Sequence, residues 1–133
     1  MASQLQDLIE ETRRLCTEKG WREPFRNGVP IEGPWFSAYI ALAHSELSEA
    51  QDAYRDKVWS GSETRYTEAI TTTSKPISGQ PVSKPIGVGP ELADTLIRIL
   101  DMCDIWGIDI EYELRRVLDY GWTRPYKHGG RQL

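Results

Sequence analysis

Two acidic pairs stand out by type and spacing: Glu46 and Glu49 in Glu-Leu-Ser-Glu, and Glu91 and Asp94 in Glu-Leu-Ala-Asp. Each lies in an otherwise apolar stretch with helical periodicity. Residues i and i+3 of a helix project from nearly the same face, so each pair aims two carboxylates one way. Two such helices facing each other would converge four carboxylates. Oxygen donors with no histidine or thiol among them suit a hard cation such as Mg²⁺, with Mn²⁺ as a substitute. That donor set predicts metal-assisted chemistry on a phosphorylated molecule.

The elements that must position these acids follow from the pattern around them. A helix from Phe36 to Lys57, turning about 100° per residue, places Leu42, Ala53, Tyr39, Ala50, Ala43, Tyr54, Leu47 and Ile40 on one arc. Glu46 lies inside that arc and Glu49 at its edge, while Ser37, His44, Ser48, Gln51, Asp52 and Arg55 form the opposite face. A carboxylate on a buried stripe is costly unless it is paired or binds metal. The competing reading is a pair of solvated surface glutamates.

A second helix, Pro90 to about Trp106, is apolar around most of its circumference through Leu92, Ala93, Leu96, Ile97, Ile99, Leu100, Met102 and Cys103. Its polar residues, Glu91, Asp94, Thr95, Arg98 and Asp101, share one stripe of about 120°. A helix this apolar is expected at the centre of a bundle, where its polar stripe need not face water. The alternative is a solvated stripe with Asp94 and Arg98 as an i,i+4 ion pair.

The rest of the chain reads as further helices and loops. Ser3 with Gln6 resembles a capping box opening a helix striped by Leu5, Leu8, Ile9, Thr12, Leu15 and Cys16, which Gly20 stops. Residues 21–34 hold Pro24, Pro30 and Pro34 and read as an ordered loop. Asp109 caps a last helix to about Tyr120, with Ile110, Leu114, Val117 and Leu118 on its core face, and Gly107 closes the helix before it. Between the acid-bearing helices, about 62–89, lies a Ser/Thr/Pro-rich insertion. It reads as a surface loop, or as an arm anchored by Tyr66, Ile70, Ile77, Val82 and Ile86. The expected architecture is a single all-α domain over residues 1–133, a four-helix bundle carrying that insertion.

Charge and composition narrow the function. Twenty acidic residues against sixteen basic ones give a net charge of −4, which argues against a general nucleic-acid binder. Cys16 and Cys103 are the only cysteines and predict buried, reduced thiols in a cytoplasmic protein. The start has no basic flank or apolar core of a leader, and no run is long enough to span a membrane. Arg115, Arg116, Arg124, Lys127, His128 and Arg131 crowd the basic end, its tail running from about 121 to 133. That end would close over a polyphosphate or remain a solvated tail. Trp21 and Trp35 flank the proline-rich loop and could stack on a base. A di-iron carboxylate bundle requires Glu-x-x-His pairs, and neither His44 nor His128 follows a glutamate by three residues.

These motifs, with Glu91-Leu-Ala-Asp94-Thr-Leu-Ile-Arg98 and the ending Thr123-Arg-Pro-Tyr-Lys-His-Gly-Gly-Arg131, resemble the MazG-like all-α nucleoside triphosphate pyrophosphohydrolases. The resemblance covers about residues 36–60 and 88–131. It implies Mg²⁺-dependent hydrolysis of (d)NTPs to the monophosphate and pyrophosphate, with Glu46, Glu49, Glu91 and Asp94 as metal ligands. For the attacking water, Glu46 or Glu49 is the catalytic candidate. The substrate contacts would come from Arg98, Arg116, Arg124 and Lys127, with Trp21 and Trp35. A homodimer or homotetramer is implied as well. The chain departs from the family at Ser45, where an acid is common, and at Val117 and Gly121, where a lysine and an asparagine are common. A non-catalytic nucleotide-binding or regulatory homologue is therefore the rival expectation.

Overall fold

The computed structural model describes residues 2–22, 34–63 and 83–126. In these, helices α1 (Gln4–Glu18), α2 (Pro34–Arg55), α3 (Val88–Ile105) and α4 (Ile110–Thr123) carry most of the chain. A short antiparallel ribbon joins α2 to α3: β1 (Gly61–Glu63) pairs with β2 (Lys84–Ile86), with Gly61 opposite Ile86 and Glu63 opposite Lys84. The all-α expectation is met at this level. The ribbon was not foreseen, because three-residue strands carry no hydrophobic alternation to read. Of the proposed insertion anchors, Tyr66, Ile70, Ile77 and Val82 lie outside the described residues, while Ile86 is half-buried in β2. None of the described helices is long and apolar enough to cross a membrane.

Local chemistry sets the helix ends. Ser3 accepts the Gln6 amide at 3.2 Å and Asp109 accepts the Tyr112 amide at 3.1 Å, so α1 and α4 start where side-chain caps take up an orphan donor. Three helices end by one device, in which the residue two beyond the last turn donates five residues back while its predecessor turns left-handed. Trp21 donates to the Cys16 carbonyl and Ile108 to the Cys103 carbonyl, with Gly20 and Gly107 at φ 75° and 66°. Val58 likewise donates to the Ala53 carbonyl, but Lys57 takes the left-handed place, at φ 58°. That turn ends α2 at Arg55, two residues short of the expected end.

The described chain forms two compact units, Met1–Phe36 with Ile99–Leu133, and Ser37–Arg98. In the first, Thr12, Cys16, Leu100, Asp101, Met102 and Cys103 are buried, and Phe36 meets Trp106 edge-on at 5.2 Å. Both cysteines are buried and form no disulfide, as expected, and burial raises the pKa of Cys103. α4 has no buried residue: Leu114, Val117 and Leu118, expected to face a core, are all exposed.

In the second unit the covered stripe of α2 is Tyr39, Ala43, Glu46, Ala50 and Ala53, a 4-3-4-3 spacing with Glu46 at its centre. Leu42, Ile40, Leu47 and Tyr54, expected in the same buried arc, are exposed. The covered face is a narrow seam rather than the broad arc of a helix packed on two sides.

Candidate metal centre

α3 turns part of its polar stripe inward, while Asp94 of that stripe is exposed. Glu91 and Arg98 are half-buried and Thr95 is buried, while Leu92 and Leu96 of the same stretch are 45% and 59% exposed. Thr95 satisfies its buried hydroxyl by donating to the Glu91 carbonyl at 2.9 Å. The expectation that Leu92, Ala93 and Leu96 would pack in a core is corrected, since all three are exposed. Apolar circumference alone did not determine the inward face here, because the acids and Arg98 have partners on α2.

Those partners are the first acidic pair. Glu46, Glu91 and Asp94 each offer a carboxylate oxygen, all within 4.8 Å of one another, a set that could hold a metal ion. Arg98 Nε donates to Glu46 Oε1 at 3.2 Å. Burial raises the pKa of Glu91 most, followed by the charge of the neighbouring Glu49 carboxyl and hydrogen bonding with it, and then by the charges of Asp94 and Glu46. Glu91 Oε2 is itself buried and has no hydrogen-bond partner. A buried, unpaired carboxylate oxygen facing like charges is destabilising as it stands. A hard cation would satisfy it, and the all-oxygen donor set fits one.

The remaining predicted residues are not among the converging trio. Glu49 is exposed and contributes no atom to the converging trio, although its carboxyl neighbours Glu91. Arg116, Arg124, Trp21 and Trp35 are in the first unit, and Lys127 lies outside the described residues. Arg116 is exposed, bonded to Glu113 at 2.9 Å and lying over the Tyr112 ring at 5.5 Å. Arg124 is the exposed C-cap of α4.

Sequence reasoning missed a second charged cluster. In the first unit Arg22 is bonded to Asp101 and, at 2.8 Å, to Asp104, while Arg13 Nε holds both oxygens of Asp104 at 3.0 Å. Asp101 is 3% exposed. The Arg13 hydrogen bond leads in lowering the pKa of Asp104, with Arg22 adding to it against the opposing effect of burial. These partners are 79 to 91 residues apart, and no local spacing announces them. No family model matches the chain, and neither curated proteins nor solved structures yield a match.

Proposed function

We propose that this chain is a divalent-cation-dependent nucleoside triphosphate pyrophosphohydrolase of the MazG-like type. The observation that carries the reading is the convergence of Glu46, Glu91 and Asp94, together with a buried oxygen of Glu91 that has no hydrogen-bond partner. Such a site is unfavourable by itself and becomes favourable around a cation that also binds phosphate. Bound there, Mg²⁺ (or Mn²⁺) would supply the positive charge that phosphate oxygens and a departing pyrophosphate require.

The chain's own groups divide the remaining work. Glu46, Glu91 and Asp94 hold the cation. Glu49 sits beside Glu91 but outside the trio, which leaves its carboxylate for water. Taking a proton from that water lets the oxygen attack the α-phosphorus; the bond to the bridging oxygen breaks, and pyrophosphate leaves with its electron pair. Arg98, half-buried beside Glu91 and bonded to Glu46, would pair with a phosphate oxygen of the substrate. Arg116, Arg124, Lys127, Trp21 and Trp35 are retained as substrate contacts on the strength of the resemblance alone. So is a cytoplasmic homodimer or homotetramer, which the exposed Leu92, Leu96 and Val117 would suit.

Incubation with the eight common NTPs and dNTPs, with and without Mg²⁺, tests the proposal. A nucleoside monophosphate and pyrophosphate are the expected products. Orthophosphate with a diphosphate would overturn the reaction class. Nucleotide binding without turnover would favour the regulatory homologue.

A further inference from the structure

We infer that Gly87 is a positioning residue for this site: it alone allows the chain to cross α2's exit closely enough to start α3 where Glu91 meets Glu46. The inference rests on the proposed cation site and adds to it a residue that contributes no ligand.

The geometry begins at the end of α2. After the left-handed Lys57, residues 58–60 run alongside residues 87–89, where strand β2 passes into the first turn of α3. The Val88 amide donates to the Val58 carbonyl and the Gly89 amide to the Trp59 carbonyl, each at 2.9 Å. The first amides of a helix have no partner within it. Here two of them are taken up by the exit of α2, Pro90 has no amide hydrogen to satisfy, and Glu91 donates to the Gly87 carbonyl at 3.1 Å. The first turn of α3 is thus tied by backbone bonds to the end of α2. Since α2 carries Glu46 and that first turn carries Glu91, these bonds fix the register between the two acids.

Gly87 is the point of closest approach. It is buried, with φ +121°, a conformation L side chains rarely adopt. A Cβ there would stand 2.8 Å from the Trp59 carbonyl carbon, 2.9 Å from its oxygen and 3.0 Å from the Ser60 nitrogen. All three are backbone atoms and cannot swing aside as a side chain would. Any side chain must therefore push the crossing apart, at the place where the Val88 and Gly89 bonds hold α3. Gly89 provides a contrast within the same strap: its Cβ would meet only the Trp59 oxygen, at 3.4 Å. Gly61, opposite Ile86, would have ordinary contacts from 3.6 Å outward.

Mn²⁺ titration of the full chain, followed by the ion's paramagnetic resonance signal, tests the inference, with circular dichroism checking helix content. Gly87→Ala is expected to keep its helices and lose Mn²⁺ affinity by about 10–100-fold, the range typical when groups that orient ligands are disturbed. Gly89→Ala and Gly61→Ala should bind as the parent does. If Gly87→Ala fails to fold, inserting one glycine after Gly87 shifts the register without a clash, and it should weaken Mn²⁺ binding by a similar factor. Parent-like affinity in a folded Gly87→Ala protein, or in the insertion variant where that protein does not fold, overturns the positioning role. Failure of the parent protein to bind Mn²⁺ would instead overturn the cation site, and the positioning role with it.

Discussion

In the first unit, Asp101 and Asp104 of α3 meet Arg13 and Arg22; in the second, Glu91 and Asp94 of the same helix meet Glu46, Glu49 and Arg98. The first cluster matches two carboxylates with two guanidinium groups, and Asp104 takes contacts from both arginines. Its charge is balanced within the protein. The second gathers four carboxylates, and a buried oxygen of Glu91 has no partner. A chain able to build the first arrangement is not short of means to neutralise acids. The contrast is why we read the second cluster as made for an ion from outside and the first as a clasp holding α1 to α3.

The largest effect should come from opening the clasp. Asp101→Ala leaves the Arg22 side chain, only 16% exposed, without its most buried partner. Loss of about 3–5 kcal/mol is expected, as for other broken buried pairs, read as a lower denaturant midpoint. A change under 1 kcal/mol, about the value of a surface pair, would show the clasp to be ornamental. Acids of the open cluster should behave differently. Asp94→Asn should cut turnover by more than about 100-fold, beyond what disturbing an orienting group costs, without lowering the melting temperature of the metal-free protein. A large loss of stability in that variant would make Asp94 structural.

Acid should distinguish the clusters next. Asp104 titrates below its usual value of 3.8 in the folded protein. A carboxyl depressed by folding contributes stability above its unfolded pKa, and that stability is lost as pH falls through the folded value. Melting temperature should thus drop on acidification below about pH 4, and Asp104→Asn should flatten that drop while lowering stability at pH 7. An unchanged acid limb in the variant would remove the clasp from the account.

The smallest test compares helix ends. Gly20 and Gly107 take the left-handed place in the first unit and Lys57 takes it in the second. Lys57→Gly relieves a left-handed strain of about 1–2 kcal/mol but adds flexibility to the unfolded chain worth about 0.5–1 kcal/mol. A rise of a degree or two in melting temperature, about what a few tenths of a kcal/mol give, is expected. A fall would mean the lysine side chain makes a contact worth more than the strain.

Features written in local spacing were legible in the sequence. The caps at Ser3 and Asp109, the stops at Gly20 and Gly107, and the two acid pairs each depend on residues a few positions apart. What escaped depends on distant partners. Nothing near Arg22 announces Asp101, and apolar count on α3 suggested that Leu92 and Leu96 would be buried when Glu91, Thr95 and Arg98 turn inward instead. Gly87 read as one glycine of a loop because its constraint comes from the backbone of Trp59, which only the folded crossing brings near.

The central claim, that the second cluster trades stability for a cation, is tested most directly by melting the parent and Glu91→Gln with and without Mg²⁺ at pH 7. Burial and neighbouring acids raise the Glu91 pKa, so its charged form costs stability above the unfolded pKa, and a neutral side chain removes that cost. Without metal, Glu91→Gln should melt at or above the parent. With saturating Mg²⁺ the parent should rise by several degrees, as a ligand at 100 times its Kd adds about 2.7 kcal/mol, and the variant should not move. A metal-free variant that melts well below the parent, or a parent indifferent to Mg²⁺, would contradict the account.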